Sequence, residues 1–287
     1  MAGNRRLSCM PMAGAACAAL GVLVGPPARA DEPPKRVVSM NLCTDEMAML
    51  IAGPGQLHSV SYLASDPGSS VLADQAGAYV VNHGLAEEIF LMQPDLVIAG
   101  TYTTRTTVAL LQRLGFRVEE FAPENSFDEV RANLRRMGDI LGRQQRAGEL
   151  VAELDAGLAG LAASKPADKT VALYYANSYT SGSGTLADAI VKASGLTNIG
   201  DRLGLAGTTK LPLEQLLLAD PDIVVDGESR YAAPALAQEN FVHPAYKALS
   251  GKKVAIPGKY TICGAPFTLE AARILQDAAR QTTGAAP

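Results

Sequence analysis

Few side chains in this 287-residue chain are of a kind that does chemistry, and their spacing restricts what they do. Ser183 stands in Gly182-Ser183-Gly184, a glycine-rich turn that lacks the fuller pattern of an exposed serine nucleophile. No phosphate-cradling glycine fingerprint follows a predicted strand. The three histidines, His58, His83 and His243, form no cluster at metal-ligand spacing, so no dedicated metal site is expected. There is no paired acid site either, and the chain reads as a non-enzyme. His83 keeps three readings: a hydrogen bond to a ligand, a metal or haem ligand, or a structural loop histidine. The remaining reactive groups are the cysteines, and they depend on how the chain begins.

Arg5 and Arg6 precede an apolar, small-residue run over 13–25, and Ala28-Arg29-Ala30 is a small-x-small cleavage signal before Asp31-Glu32-Pro33-Pro34. A run of about 13 residues is too short to span a bilayer, which takes roughly 20, so residues 1–30 read as a cleaved secretory signal peptide. The arginine pair leaves Sec and twin-arginine export both open. Gly14, three positions before Cys17, argues against lipid attachment there. Processing removes Cys9 and Cys17 and leaves Cys43 with Cys263. In an oxidising compartment pairing is the default, and the alternative is two thiols that ligate a metal or haem.

Processing also removes Arg5, Arg6 and Arg29 but no acid. The balance of 25 basic to 29 acidic residues, net −4, becomes 22 to 29, net −7. Such acidity argues against a nucleic-acid partner. With 48 % hydrophobic and 19 % charged residues the chain has matter for a sizeable core. Short β-rich runs at 36–40, 57–62, 79–81, 96–99 and 116–121 alternate with helical patterns at 46–52, 86–92 and 105–114, which predicts parallel α/β layers. From Ser126, with Glu129 three residues on as a capping box, helical periodicity runs to Leu141, pauses at Gly142 and resumes over 144–163. A second set follows: strands at 170–175, 223–226 and 253–257, and helices at 186–194, 213–219 and 267–282.

The two sets echo each other. Residues 86–98 and 213–225 share a glutamate, Glu87 or Glu214, and seven positions later a Pro-Asp pair, Pro94-Asp95 or Pro221-Asp222, leading into a buried strand. A residue before proline is driven out of the helical region, so each helix must stop there. The chain divides into a signal peptide (1–30), an N-terminal α/β lobe (31–125), a helical connector (126–165) and a C-terminal α/β lobe (166–287).

The opening Arg36-Val37-Val38-Ser39, the run into Pro94-Asp95-Leu96-Val97-Ile98-Ala99, the mid-chain helix and the Leu213-Glu214 to Pro221-Asp222 unit together resemble solute-binding proteins of ABC importers for iron-siderophores, haem and cobalamin. The resemblance covers about residues 35–283. It implies two Rossmann-like lobes with parallel sheets, joined by a single long connector helix, with the ligand cleft between them. It also implies that Glu87 and Glu214, one acid per lobe, dock the two subunits of an inner-membrane permease dimer, with Glu88 an adjacent alternative. Both Cys43 and Cys263 would lie near the cleft.

Ligands of open α/β sheets bind beyond the carboxyl ends of the strands. That rule makes Asn41, Thr44, Tyr62, His83, Tyr102, Asn177, Tyr179, Arg230, Tyr231 and Tyr260 the candidate ligand-binding residues. Five of them are tyrosines, whose flat rings with polar tips suit a large ligand of mixed polarity. The bound chelate is cargo, so no resident cofactor is expected, and the protein is expected to act as a periplasmic monomer. A ferric siderophore or haem is favoured over cobalamin, because cobalamin binders of this family commonly use Trp and the chain has none. A periplasmic scaffold or sensor partner on the same fold is the alternative from another class.

Overall fold

Val37, Val38 and the run from Leu96 to Ala99 are wholly buried, as the central strands of a parallel sheet covered on both faces must be. The computed structural model describes residue 1 and residues 32–166, 168–226 and 236–283. Residues Pro33–Pro287 form one compact unit. Its first half runs β1 (Val37–Ser39), α1 (Leu42–Ile51), β2 (Leu57–Ser61), α2 (Ala73–Ala76), β3 (Val80–Asn82), α3 (Ala86–Met92), β4 (Leu96–Gly100), α4 (Arg105–Arg113) and β5 (Val118–Phe121). These strands make one parallel sheet in the order β3-β2-β1-β4-β5. The connections reverse direction between β1 and β4, which makes that crevice the topological switch point.

Two helices follow, α5 (Phe127–Leu141) and α6 (Gln144–Ala163). Ser126 caps α5 by accepting from the Glu129 amide, but the Glu129 carboxylate returns to the amide of Asn125 rather than to that of Ser126, so only half of the expected capping box forms. Gly142 ends α5 in the left-handed conformation at φ 66°, which glycine adopts without a Cβ penalty. Within the connector region α5 packs with α1, and α6 also meets α7 and α12 of the second half, which makes α6 the bridging helix. Close approach explains two glycines. A Cβ on Gly138 of α5 would stand 2.4 Å from Ala147 Cβ of α6, and one on Gly157 of α6 would stand 2.2 Å from Leu269 Cδ1.

The second half runs β6 (Thr170–Tyr174), β7 (Tyr179–Ser181), α7 (Leu186–Ala193), β8 (Thr197–Asn198), α8 (Ile199–Arg202), β9 (Thr208–Lys210), α9 (Leu213–Ala219), β10 (Ile223–Asp226), α10 (Glu239–Val242), α11 (Pro244–Lys247), β11 (Lys252–Ala255) and α12 (Leu269–Thr283). A parallel sheet in the order β11-β10-β6-β8 has its own switch point between β6 and β10. The antiparallel pair β7 and β9 departs from the expected all-parallel pattern. Polar Thr-Thr-Lys and Tyr-Thr-Ser carry no hydrophobic run, so periodicity did not mark them.

One continuous core joins the halves. It runs from Val37, Ile51 and Leu96 through Leu134, Met137, Leu150 and Leu154 of the helix pair to Leu173, Ile190 and Leu275. A close-packed interior transmits strain rather than yielding to it, so the two switch-point crevices are held in fixed register. No helix among the described residues is long and apolar enough to cross a membrane.

Candidate ligand-binding site

The carboxyl ends of β1, β4 and β5 enclose a crevice of about 150 Å³. Asn41, Thr44 and Tyr102, three of the residues picked out by the strand-end rule, line it together with Thr101, Glu124 and, from the second half, Ile262. Asn41 caps α1, its side-chain oxygen accepting from the Cys43 amide. Thr44 is buried, 2.7 Å from the Ser39 hydroxyl. Tyr102 is 82 % exposed, an apolar ring left open to a ligand. The wall is closed covalently: Cys43 in the first turn of α1 is disulfide-bonded to Cys263, their Cα atoms 5.0 Å apart.

Thr101 stands beside Tyr102 at the same strand end that the rule marks, whereas Glu124 and Ile262 were missed from the sequence. Glu124 follows β5, whose end the strand-end rule covers equally, so the signal was there. Its carboxyl is buried and accepts from Asn133 Nδ2 at 2.7 Å, and burial raises its pKa. No Lys or Arg lines this crevice among the described residues. The second switch point holds a smaller recess of about 40 Å³, lined by Tyr175 and Asp226 among others.

The other candidates are spread around the rim. Tyr62 and His83, after β2 and β3, stack with ring centroids 5.6 Å apart, and both are exposed. His83 Nδ1 also meets Glu88 Oε1 at 3.1 Å. Asn177 sits in a left-handed turn and its carbonyl accepts from Lys210 Nζ, which lies 4.1 Å over the Tyr179 ring. Tyr260 packs partly against the main core. Arg230 and Tyr231 lie outside the described residues.

Behind the crevice, α1 carries two acids that helix periodicity alone would leave in solvent. Asp45 and Glu46 are almost wholly buried. The Ser61 amide and hydroxyl donate to Asp45 Oδ2 at 3.1 and 2.5 Å, and the Val71 amide and Ser70 hydroxyl donate to Glu46 Oε1 at 2.7 and 3.1 Å. Their second oxygens, Asp45 Oδ1 and Glu46 Oε2, have no partner among the described residues, an arrangement that suits the neutral acid better than the anion. Desolvation raises Asp45 to about 6 and Glu46 to about 7. Acids held above their unfolded values bind protons more tightly in the native state, so their contribution is complete below about pH 4 and is lost as pH rises through 6 to 7. Each contributes on the order of 3 kcal/mol by the shift. Thermal unfolding between pH 4.5 and 8 should show stability falling with pH, and Asp45→Asn should flatten that slope; an unchanged slope would refute it.

The echo seen in the sequence is also an echo in space. In α3 and α9, Ile89 and Leu216 are wholly buried while Glu87 and Glu214 are exposed. Gln93 and Asp220 end the helices in left-handed conformations, φ 50° and 40°. Asp95 then binds the amides of Lys35 and Arg36 before β1, as Asp222 binds the Thr170 amide and Lys169 Nζ at β6. Glu88 is turned onto the His83 amide, which lowers its pKa. Glu87 and Glu214 make no hydrogen bond or ion pair among the described residues and stand free at the surface.

Two parallel-sheet halves, each with its own switch-point crevice, and a bridging helix define a two-lobed α/β protein. The chain belongs to the periplasmic binding protein family, which it matches over residues 37–241. It is a binding protein and not an enzyme. A cobalamin-binding protein of Halobacterium salinarum is 25 % identical over 268 residues, covering 88 % of this chain and 71 % of that protein. Among solved structures, the periplasmic haem-binding protein RhuT of Roseiflexus sp. RS-1 superimposes with TM-score 0.68 at 21 % identity, covering 86 % of this chain and 98 % of that one. The periplasmic vitamin B12 binding protein BtuF of Vibrio cholerae gives 0.64 at 20 %, covering 88 % and 99 %.

Proposed function

We propose that this chain is the substrate-binding component of an ABC importer, exported to the periplasm by its signal peptide, and that it delivers a metal chelate to a permease dimer. The cargo we favour is a corrinoid such as cobalamin. The observation that carries this is the lining of the β1/β4/β5 crevice: the Asn41 amide, the Thr44 and Thr101 hydroxyls, the Tyr102 phenol and one acid, Glu124, whose pKa burial raises. An amide-rich, nearly neutral ligand is matched by such donors and acceptors. The cobalamin-binding relative supports the same choice. Tyrosine takes the place of the missing tryptophan as the flat contact, Tyr102 foremost.

A second reading, haem or another ferric chelate, is favoured by the stacked Tyr62 and His83 at the rim, since a phenolate or imidazole ligates iron. The lack of Trp leaves tyrosine emission as a clean reporter. Titration of the purified mature chain with cyanocobalamin should quench it, with a dissociation constant at or below about micromolar, and Tyr102→Ala should weaken binding about ten-fold or more. A haemin spectrum that shifts on binding and loses the shift in Tyr62→Phe or His83→Ala, with no cobalamin binding, would replace the corrinoid by haem. Failure of every chelate class would favour a scaffold or sensor partner.

A further inference from the structure

We infer that Leu91 and Leu218 form a matched pair of apolar anchors, one on each half, that seat the protein on a two-subunit membrane partner beside the docking glutamates. The inference rests on the reading above, in which Glu87 and Glu214 meet a permease dimer. Residues four apart on a helix share one face, so Leu91 stands one turn beyond Glu87, and Leu218 one turn beyond Glu214. Both leucines are turned outward, 80 % and 87 % exposed, while Ile89 and Leu216 two positions earlier are wholly buried. A single exposed leucine needs no explanation. Two of them are different when the same position of two related helices carries each, with the same free acid one turn away and the same left-handed cap behind.

On the first half the leucine is part of a larger apolar face. Phe90, Leu91, Leu110 and Leu114 with Ala86 line a groove of about 420 Å³, and Glu87 is its one charged residue. An acid at the margin of an apolar patch is how docking surfaces are built: the apolar centre excludes water, and the rim charge fixes orientation. The complementary partner is a pair of related protein surfaces, each offering a cation flanked by an apolar recess, spaced to meet both halves at once. Each leucine buried on docking is worth roughly ten-fold in affinity, and the rigid core carries both anchors together.

The test measures saturable binding of the labelled mature chain to right-side-out membrane vesicles from the cells that make it. Leu91→Ala and Leu218→Ala should each weaken binding about ten-fold, and the double variant by about a hundred-fold, with cyanocobalamin affinity unchanged. Leu236→Ala, an equally exposed leucine outside both helices, should bind as wild type. If the double leucine variant binds normally while Glu87→Lys with Glu214→Lys does not, the anchors are overturned and the docking reading stands. If neither pair matters, the docking reading fails and takes the anchors with it. Self-association of the purified chain that Leu91→Ala and Leu218→Ala abolish would assign the face to a second copy and overturn the inference.

Discussion

A Glu87→Lys, Glu214→Lys double variant should abolish uptake of radiolabelled cyanocobalamin by cells that lack the chromosomal copy, while the purified variant binds that ligand as wild type does. Both acids are exposed and unpartnered among the described residues, and neither lines the β1/β4/β5 crevice, so cargo affinity has no route to change. Placing lysine against a cationic pocket exchanges an attraction for a like-charge contact, at several kcal/mol per site. Two sites on one rigid body compound, so the loss in docking exceeds about a thousand-fold. Either single reversal should leave measurable uptake, because the other half still holds. Glu88→Lys should have the smaller effect on docking, since its carboxylate is engaged by His83. Lost cyanocobalamin binding in the double variant would count against a docking role and return both acids to the structure of the cleft.

That these two glutamates were visible in the sequence at all follows from proline chemistry. Pro94 and Pro221 stop their helices at matching points, and the stop, the Asp that pins the next strand and the buried strand itself leave a linear signature. The central strands β1, β4, β6 and β10 were legible for the same reason: burial on both faces demands unbroken apolar runs. The strand-end rule then found Asn41, Thr44 and Tyr102, which do share one crevice. It passed over Glu124 although β5 was recognised. It marked Tyr260, and the resemblance placed Cys263 near the cleft, but Ile262 between them went unnamed although the Cys43–Cys263 bridge holds it at the crevice. The buried Asp45 and Glu46 were equally hidden. Their burial depends on Ser61, Ser70 and Val71, which a helical pattern over 46–52 does not mention.

The division of labour between α5 and α6 gives the two crevices their relation. Gly138 lets α6 approach α5 on the first half and Gly157 lets Leu269 approach α6 on the second, so one helix is seated tightly at both ends of its 20 residues. About 30 Å of continuous helix, packed throughout with Leu150, Leu154 and Leu161, resists bending more than a loop pair would. A ligand between the halves therefore meets a preformed gap, and the ordering cost of binding falls on rim side chains such as Tyr102 rather than on domain closure.

The Cys43–Cys263 bridge strengthens that fixed geometry, and its removal should be the largest single stability loss available in this chain. It links residues 220 apart in sequence, and closing so long a loop in the unfolded chain is worth roughly 5 kcal/mol by loop entropy. Reduction of the wild type, or a Cys43→Ser, Cys263→Ser variant, should lower the unfolding temperature by about 10–20 °C at the 2–4 °C per kcal/mol typical of chains this size. The crevice should respond as well. Cys43 lines it and Cys263 adjoins Ile262, which supplies the wall from the second half, so without the bridge that wall is held only by packing. Cyanocobalamin affinity should drop, chiefly through faster release. Thiol titration of the unreduced protein separates the cases: no reactive thiol is expected before reduction and two after it. Two thiols reactive without reductant, or equal unfolding midpoints with and without it, would remove the staple from the account and leave α6 to hold the halves alone.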